Sequence, residues 1–394
     1  MKVALLMGNR LNPWHTRLYE PLLEMGVDLC AFTYRPLRYP LEDVQIPYEI
    51  IPTEAEERSL PQRAIEGIET RLLGTDISER PVGLADRLKG FDLIHSWELF
   101  TMDTEEALTA REKWGIPVLV TVWDNIPYHR DEDQLVRQRK KRALDQADAF
   151  LVYTEESRAM LETEGADPGK VQKVYPAVDM TEFSPSTPIS PPVILGIGRM
   201  VPEKGFEDLL SAASLLRKHS PDLEFRVHLV GDGPLAERVD QMAVWGGHRD
   251  RYERTPSLCY KQLPNLYRGA TLLALPSRPT SEWKEQFGMV LIEAMASGVP
   301  VVASVTGGIP EMIGNAGVLI PPGDFSKLAE SIEDLLTSPQ RWESLQRTAL
   351  ERCRTHFQLE NNAQQIRNLY GSLADSTSET SNPPSDPCAG MNQG

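Results

Sequence analysis

Glu285 and Glu293 stand eight positions apart in the stretch SEWKEQFGMVLIEAMASGVPVV, and their settings differ. Glu285 lies in a polar loop that ends at Phe287-Gly288. Glu293 falls within Met289–Ser297, an apolar segment rich in Ala and Met that reads as a buried helix stopped by Gly298. A carboxylate in so apolar a helix needs a partner, because burying it unpaired is costly. Ribose or sugar hydroxyls would supply one, and so would an arginine or backbone donor in an ordinary buried pair. Gly288 lets the backbone approach a ligand closely. The free N–H groups of the helix start, from Phe287 to Met289, suit a phosphate.

Two cations form a second candidate group. Arg199 and Lys204 lie five residues apart in GIGRMVPEKGFEDLL, just after the predicted strand Val193–Gly198. Fixed cations beside glycines can stabilise the charge that builds on a departing diphosphate, work otherwise done by a metal. Taken singly, each is also an ordinary surface residue. Gly196-x-Gly198 suggests a dinucleotide site, but Val201 stands where the third glycine is required, and no P-loop is present. Nicotinamide chemistry is therefore set aside.

These residues must be positioned by a scaffold, and the first half of the chain predicts one. Short apolar runs at Val3–Met7, Val27–Phe32, Phe91–His95, Val118–Val122, Ala149–Tyr153 and Val171–Tyr175 are separated by longer helical stretches. That alternation predicts an α/β architecture with a doubly wound parallel sheet. Ligands in such sheets bind at strand carboxyl ends. The stretches Gly8-Asn9-Arg10, His95-Ser96-Trp97-Glu98 and Trp123-Asp124-Asn125 thereby become candidates. Prolines crowd 179–192, which reads as a linker. The second half repeats the plan with strands at Val193–Gly198, Phe225–Val230, Thr271–Leu275, Val299–Ala303 and Ala316–Ile320. Gly231-Asp232-Gly233-Pro234 makes a tight turn between them.

The run EQFGMVLIEAMASGVPVV, followed by GGIPE and preceded far upstream by GIGRMVPEKG, resembles the retaining glycosyltransferases of family 4. The resemblance covers Val193 to about Ile320 closely and the first half in general pattern. It implies the GT-B fold, two Rossmann-like doubly wound domains facing across a cleft. The implied domains are 1–178 for the acceptor and 193–358 for the donor, with a last helix at about 359–373 packing back on the first. The implied activity is transfer of a hexosyl unit from a nucleotide-diphosphate sugar (UDP- or GDP-linked) to an acceptor, with retention, on one face, and with no obligatory metal or cofactor. Arg199 and Lys204 would hold the diphosphate, Glu293 the ribose and Glu285 the transferred sugar. Gly8, Gly231, Leu258, Phe287, Gly288 and Met289 would line the donor site. The family places a His where Trp123 stands here. Asp124 and His95 are the candidates to replace it, and Trp97 and Trp123 could wall the acceptor. The same fold also serves nucleotide-sugar epimerases and disaccharide phosphorylases, and a non-catalytic partner protein is the remaining alternative.

Bulk properties narrow the classes. At 394 residues the chain exceeds one ordinary core, and 41% hydrophobic with 25% charged residues is a globular composition. A net charge of −16 excludes nucleic acid as the main partner. No apolar run is long enough for a transmembrane segment. Cys30, Cys259, Cys353 and Cys388 lack metal spacing and read as thiols of a cytoplasmic protein. Asp131-Glu132-Asp133 matches a metal-binding D-x-D pattern, but it reads as the acidic start of a solvated helix that continues into RQRKKR (137–142). That basic run offers a peripheral contact with anionic lipid as its alternative. The acceptor class stays open among a small molecule, a glycan and a lipid-linked sugar. Residues 374–394 lack large apolar side chains apart from one Met and read as disordered.

Overall fold

The computed structural model describes residues 1–57, 80–186 and 189–380 of the 394. The first parallel sheet comprises β1 (Lys2–Leu6), β2 (Asp28–Tyr34), β3 (Tyr48–Ile51), β4 (Leu93–Trp97), β5 (Val118–Val122), β6 (Ala149–Val152) and β7 (Val171–Lys173). Their order is β3-β2-β1-β4-β5-β6-β7. The second comprises β8 (Val193–Ile197), β9 (Arg226–Val230), β10 (Tyr252–Thr255), β11 (Leu272–Leu275), β12 (Val301–Ser304) and β13 (Val318–Ile320). Its order is β10-β9-β8-β11-β12-β13, again parallel. In each sheet the order reverses beside its first strand. The crevices for ligands therefore open at the carboxyl ends of β1 and β4, and of β8 and β11.

Both faces of each sheet are covered. Along β1, Val3 and Leu5 enter one core while Ala4 and Leu6 enter the other, and none has exposed surface. The same split separates Ile194 from Leu195 on β8 and Val302 from Val301 on β12. Burial on two sides is why the central strands are continuous apolar runs. The edge strands are not. Tyr48, Glu49 and Ile50 of β3 are exposed, and β10 reads YERT. Neither was expected from the sequence, because an edge strand needs only one buried face and one partner.

The chain returns to the first sheet at its end. The helix Pro339–His356 sends Ala349 and Cys353 into the second sheet's core. Leu359–Thr380 then places Leu359, Ala363, Ile366 and Tyr370 in the core beneath β1 and β4. Those spacings of four, three and four keep one helix face inward. At the crossing, the Val178 N–H donates to the Phe357 carbonyl over 2.9 Å, and Asn362 Nδ2 donates to the Tyr175 carbonyl over 3.0 Å. This helix extends seven residues past the expected end at 373, since a nucleated helix propagates through residues that would not start one. The rest of the expected disordered tail, 381–394, and Cys388 with it, lie outside the described residues. No helix among the described residues is long and apolar enough to cross a membrane.

Tyr370 has no exposed surface, and its hydroxyl is 2.6 Å from His95 Nδ1. Replacing it tests what holds the returning helix. Tyr370→Ala should cost about 3–5 kcal/mol through the lost ring and the void. Tyr370→Phe, which only removes the hydroxyl, should cost about 1–2 kcal/mol. Equal losses in urea unfolding would mean that the hydrogen bond, and not ring burial, anchors the helix.

Candidate active site

The loop that follows β11 carries Glu285, and three other loops converge on it. Ser277 Oγ donates to its carboxylate over 2.9 Å, and Lys204 Nζ lies 2.6 Å from the same oxygen. Lys204 ends a single turn, Pro202–Lys204, after β8. Gly205 follows at φ +66, and a Cβ there would sit 1.9 Å from the Pro276 carbonyl oxygen. Only glycine lets these two loops meet. The Glu285 carbonyl accepts from Gly308 N–H over 3.0 Å, and a Cβ on Gly307 would lie 1.8 Å from that oxygen. The GGIPE segment is thus the bed on which the Glu285 loop rests.

Around this pair the other donor-side candidates fall as follows. Arg199 is exposed and has no carboxylate partner among the described residues. The loops after β8 and β9 touch: Met200 N–H donates to the Asp232 carbonyl over 2.8 Å, and a Cβ on Gly231 would be 2.0 Å from the Gly198 carbonyl oxygen. Leu258 is half-buried in the loop after β10, packed on the core with Phe287 and Met289. Gly288, at φ +73, caps the helix Met289–Ala296. Inside that helix Glu293 has no exposed surface. Its Oε2 accepts from Tyr267 OH over 2.7 Å, its Oε1 has no partner, and burial pushes the carboxyl up to about 7.

The first sheet reaches the same point. Asn125, after β5, donates through Nδ2 to the Glu285 carbonyl over 3.2 Å. The Phe287 ring meets Tyr153 at 5.3 Å and Trp123 at 6.0 Å between centroids. Lys284 pairs with Glu156, and Lys173 with Glu311, each at 2.8 Å. Beside this junction, at the carboxyl ends of β1 and β4, lies a cavity of about 230 Å³. Its lining includes Gly8, Arg10, His15, Trp97, Glu98 and Trp123. A larger cavity of about 660 Å³, near Met1, Asp92 and Gly115, opens at the opposite end of the strands, away from the loops that carry chemistry.

Gly8, at φ +54, opens that cavity: a Cβ there would be 2.8 Å from Asp103 Oδ2. Glu98 also has positive φ, +62, a strained conformation for a side chain of its size. Its Oε1 accepts from Trp123 N–H over 3.0 Å and its Oε2 is buried without a partner. Burial, reinforced by the neighbouring Asp124 charge, lifts this carboxyl to about 8. His15 packs on Trp123 at 4.7 Å, and burial lowers it to about 4, so it is neutral. Asn12 Oδ1 accepts from His15 N–H over 3.0 Å, which fixes its amide and leaves Nδ2 to donate to His15 Nδ1 over 3.0 Å. The ring also donates to the Arg10 carbonyl, so the His15 side chain is held from both Asn12 and the loop after β1.

Four expectations change here. His95 is fully buried in β4, its Nδ1 taken by Tyr370 and its Nε2 by Thr121 at 2.6 Å, so neither nitrogen faces a ligand. Asp124 is spent on its own turn, accepting from Ile126 N–H over 3.2 Å and lying 2.7 Å from His129 Nδ1. Lys204 and Glu285, expected on different parts of a ligand, bind each other. The basic run 137–142 is solvated on one face only, at Arg137, Gln138 and Lys141, while Lys140 is buried between Asp131 and Glu164 and Arg142 pairs with Glu105 and Glu112. Arg139 of the run lines the cavity. That leaves Arg137 and Lys141 exposed, too few for a lipid-docking face. Asp133 caps the helix Gln134–Gln146 by accepting from Leu135 N–H over 2.9 Å. His15 and Glu98 were not singled out. Glu98 lay in a strand-end stretch under scrutiny, whereas His15 had only the Asn12-Pro13 helix-start signal.

Fold and site together define a GT-B architecture, and the comparisons agree. A family model described as Glycosyltransferase Family 4 matches residues 18–182, and one described as Glycosyl transferases group 1 matches 191–338. The chain belongs to this family of glycosyltransferases. A D-inositol 3-phosphate glycosyltransferase of Mycobacteroides abscessus is 28% identical across 71% of this chain and 66% of its own length. One of Corynebacterium diphtheriae is 26% identical across 92% of this chain and 90% of its own. Among solved structures, HepE of Anabaena in complex with UDP superposes with TM-score 0.73 at 20% identity, covering 94% of this chain and all of that one (100%). Sucrose-phosphate synthase from Thermosynechococcus elongatus gives 0.73 at 23% identity, with 95% and 100% covered.

The raised Glu98 carboxyl has a consequence for stability. The folded state keeps a proton on it up to about pH 8, whereas the unfolded chain releases it near the ordinary carboxyl value of 4.5. Between those limits the folded state binds more protons, so stability falls as pH rises. Glu98→Gln removes this dependence. The melting temperature of the variant relative to wild type should climb by a few degrees from pH 5 to pH 8.5. A difference independent of pH would show that Glu98 is ionised in the folded protein.

Proposed function

We propose that this chain transfers a hexosyl unit from a nucleotide-diphosphate sugar to an acceptor, with retention at the anomeric carbon and no obligatory metal. The observation that carries the reading is the Lys204–Glu285 pair at the junction of the two sheets, beside the open start of the helix Met289–Ala296. Lys204, Arg199 and the N–H groups from Phe287 to Met289 would receive the diphosphate. Its departure concentrates negative charge, and fixed cations stabilise that charge without reorganising. Glu285, freed from Lys204 by the donor, would bind the sugar, and the unpartnered Glu293 Oε1 would accept from a ribose hydroxyl. HepE, which shares the fold, has been crystallised in complex with UDP-glucose, and that supports a nucleotide-sugar donor here. The relatives named for D-inositol 3-phosphate support a small polar acceptor.

Retention is proposed on one face. The carboxylate nearest the donor loop, Glu285, is held by Lys204 and Ser277 rather than aimed as a free nucleophile. The leaving phosphate oxygen would take the acceptor's proton as the acceptor oxygen bonds to the anomeric carbon. Residues 1–178 with the last helix, and 193–358, are proposed as the two closing domains, with 179–192 as the hinge, so that closure excludes water. The free thiols of Cys30, Cys259 and Cys353 support a reducing compartment.

A thermal-shift panel of UDP, GDP and ADP with their glucose, mannose and N-acetylglucosamine conjugates tests the donor site. One nucleotide series should raise the midpoint equally with and without EDTA. Lys204→Ala should then lower kcat by about 10²–10³ while donor affinity changes far less. An unchanged kcat at saturating donor would remove Lys204 from leaving-group stabilisation, and no shift with any nucleotide would sink the transferase reading.

A further inference from the structure

Three arginines converge on the cavity at the ends of β1 and β4, namely Arg10, Arg130 and Arg139. None forms an ion pair among the described residues, although Arg17, Arg111, Arg142, Arg254 and Arg278 all do. In a chain with a net charge of −16, three guanidinium groups without an ion pair gathered around one small cavity are an uneven placement of charge. Two of them are also held in place. The Arg130 guanidinium lies 5.2 Å from the Phe100 ring centroid, and Arg139 Nη1 reaches the Phe100 carbonyl at 3.5 Å. Arg130 sits at φ +62, as Glu98 does, so two of the three non-glycine residues with positive φ among those described line this cavity. Backbone strain of that kind gathers where a ligand is bound.

Three carboxyl groups, Glu98, Asp103 and Asp133, line the same cavity, and none forms an ion pair with these cations among the described residues. Asp133 accepts from backbone N–H groups at the start of the helix Gln134–Gln146, and the Asp103 carboxylate lies on the Gly8 side. Glu98 is protonated in the neutral range and presents a buried Oε2 with no partner. Beside it, neutral His15 lines the cavity. One side of the cavity is therefore built for an anion and the other for uncharged hydroxyls. Trp123 lines the cavity and meets Phe287 of the donor loop, which puts the hydroxyl side next to the site of transfer. At about 230 Å³ the space is smaller than the roughly 300–1,000 Å³ of drug-sized sites, which favours a monosaccharide or polyol over a long glycan.

We propose that this cavity is the acceptor site and that Arg10, Arg130 and Arg139 hold a phosphate group on a small hydroxylated acceptor, an inference that rests on the transferase reading above. Planar guanidinium groups pair with phosphate oxygens through two parallel N–H donors, which fixes the acceptor's orientation as well as its affinity. The phosphate would anchor one end while Glu98 and His15 select which hydroxyl meets the donor. The same group occurs on a soluble phosphomonoester and on an acidic lipid headgroup, and the test separates them.

Inorganic phosphate and glycerol 3-phosphate would be titrated calorimetrically into the full chain, Lys204→Ala, Arg10→Gln, Arg130→Gln and Arg139→Gln. Both probes should bind wild type and Lys204→Ala alike, and each arginine substitution should weaken them about tenfold. Nucleotide-induced thermal shifts should persist in the arginine variants. Arginine-dependent binding to phosphatidylcholine vesicles only when they contain phosphatidic acid would assign the phosphate to a lipid headgroup and keep the site. Binding lost in Lys204→Ala but intact in the arginine variants would place the anion in the donor site and overturn the proposal. So would no binding of any probe. Phosphate binding without any nucleotide effect would instead overturn the transferase reading alone.

Discussion

The Glu285 backbone carbonyl holds the two halves of this molecule in register. It accepts from Gly308 N–H within its own half and from Asn125 Nδ2 of the other, at 3.0 and 3.2 Å. The side chain of the same residue is bound by Ser277 and Lys204. One residue thus ties together the loops after β5, β8, β11 and β12. Such a contact tolerates no Cβ at Gly205 or Gly307, because both glycines approach a carbonyl closer than any side-chain carbon could. The tightness is not a property of the sheets. It arises where their loops meet, which is where doubly wound folds bind ligands.

Charge is distributed unevenly in a way that suits that position. The chain is strongly acidic overall, yet cations and carboxylates pair at the junction, and burial suppresses negative charge at two further carboxyls. Glu98 and Glu293 are both shifted toward the neutral form by burial, and each keeps one oxygen without a partner. An unpartnered buried oxygen is costly, and both carboxyls lower that cost by holding a proton. His15 and His95 are both uncharged for the same reason, burial, but only His15 lines the cavity.

The returning helix Leu359–Thr380 links the cores mechanically. It leaves the second sheet beside Phe357, whose carbonyl bonds Val178, and buries Tyr370 against His95 beneath the first. The two chain crossings lie side by side, so rotation between the halves bends both together. Ion pairs such as Lys284–Glu156 and Lys173–Glu311 flank the junction and are partly exposed. Pairs of this kind contribute little energy and reform readily.

The sequence by itself determined the two parallel sheets, since strands buried on both faces must be continuous apolar runs, and those runs are local. It determined the donor-side loops too, because glycines, a helix start and paired charges leave local patterns in GIGRMVPEKG and EQFGMVLIE. Edge strands β3 and β10 escaped notice because a strand with one buried face carries half the pattern. Only the tertiary structure decided which strand-end groups face a ligand. His95 and Glu98 sit three residues apart, but strand alternation and the returning Tyr370 close off the first, while a left-handed backbone at the second turns it toward the cavity. The gathering of Arg10, Arg130 and Arg139 is likewise invisible in the chain, where 129 positions separate the first from the last. Convergence of that kind depends on how β1 and the helix Gln134–Gln146 are placed, and no local pattern encodes it.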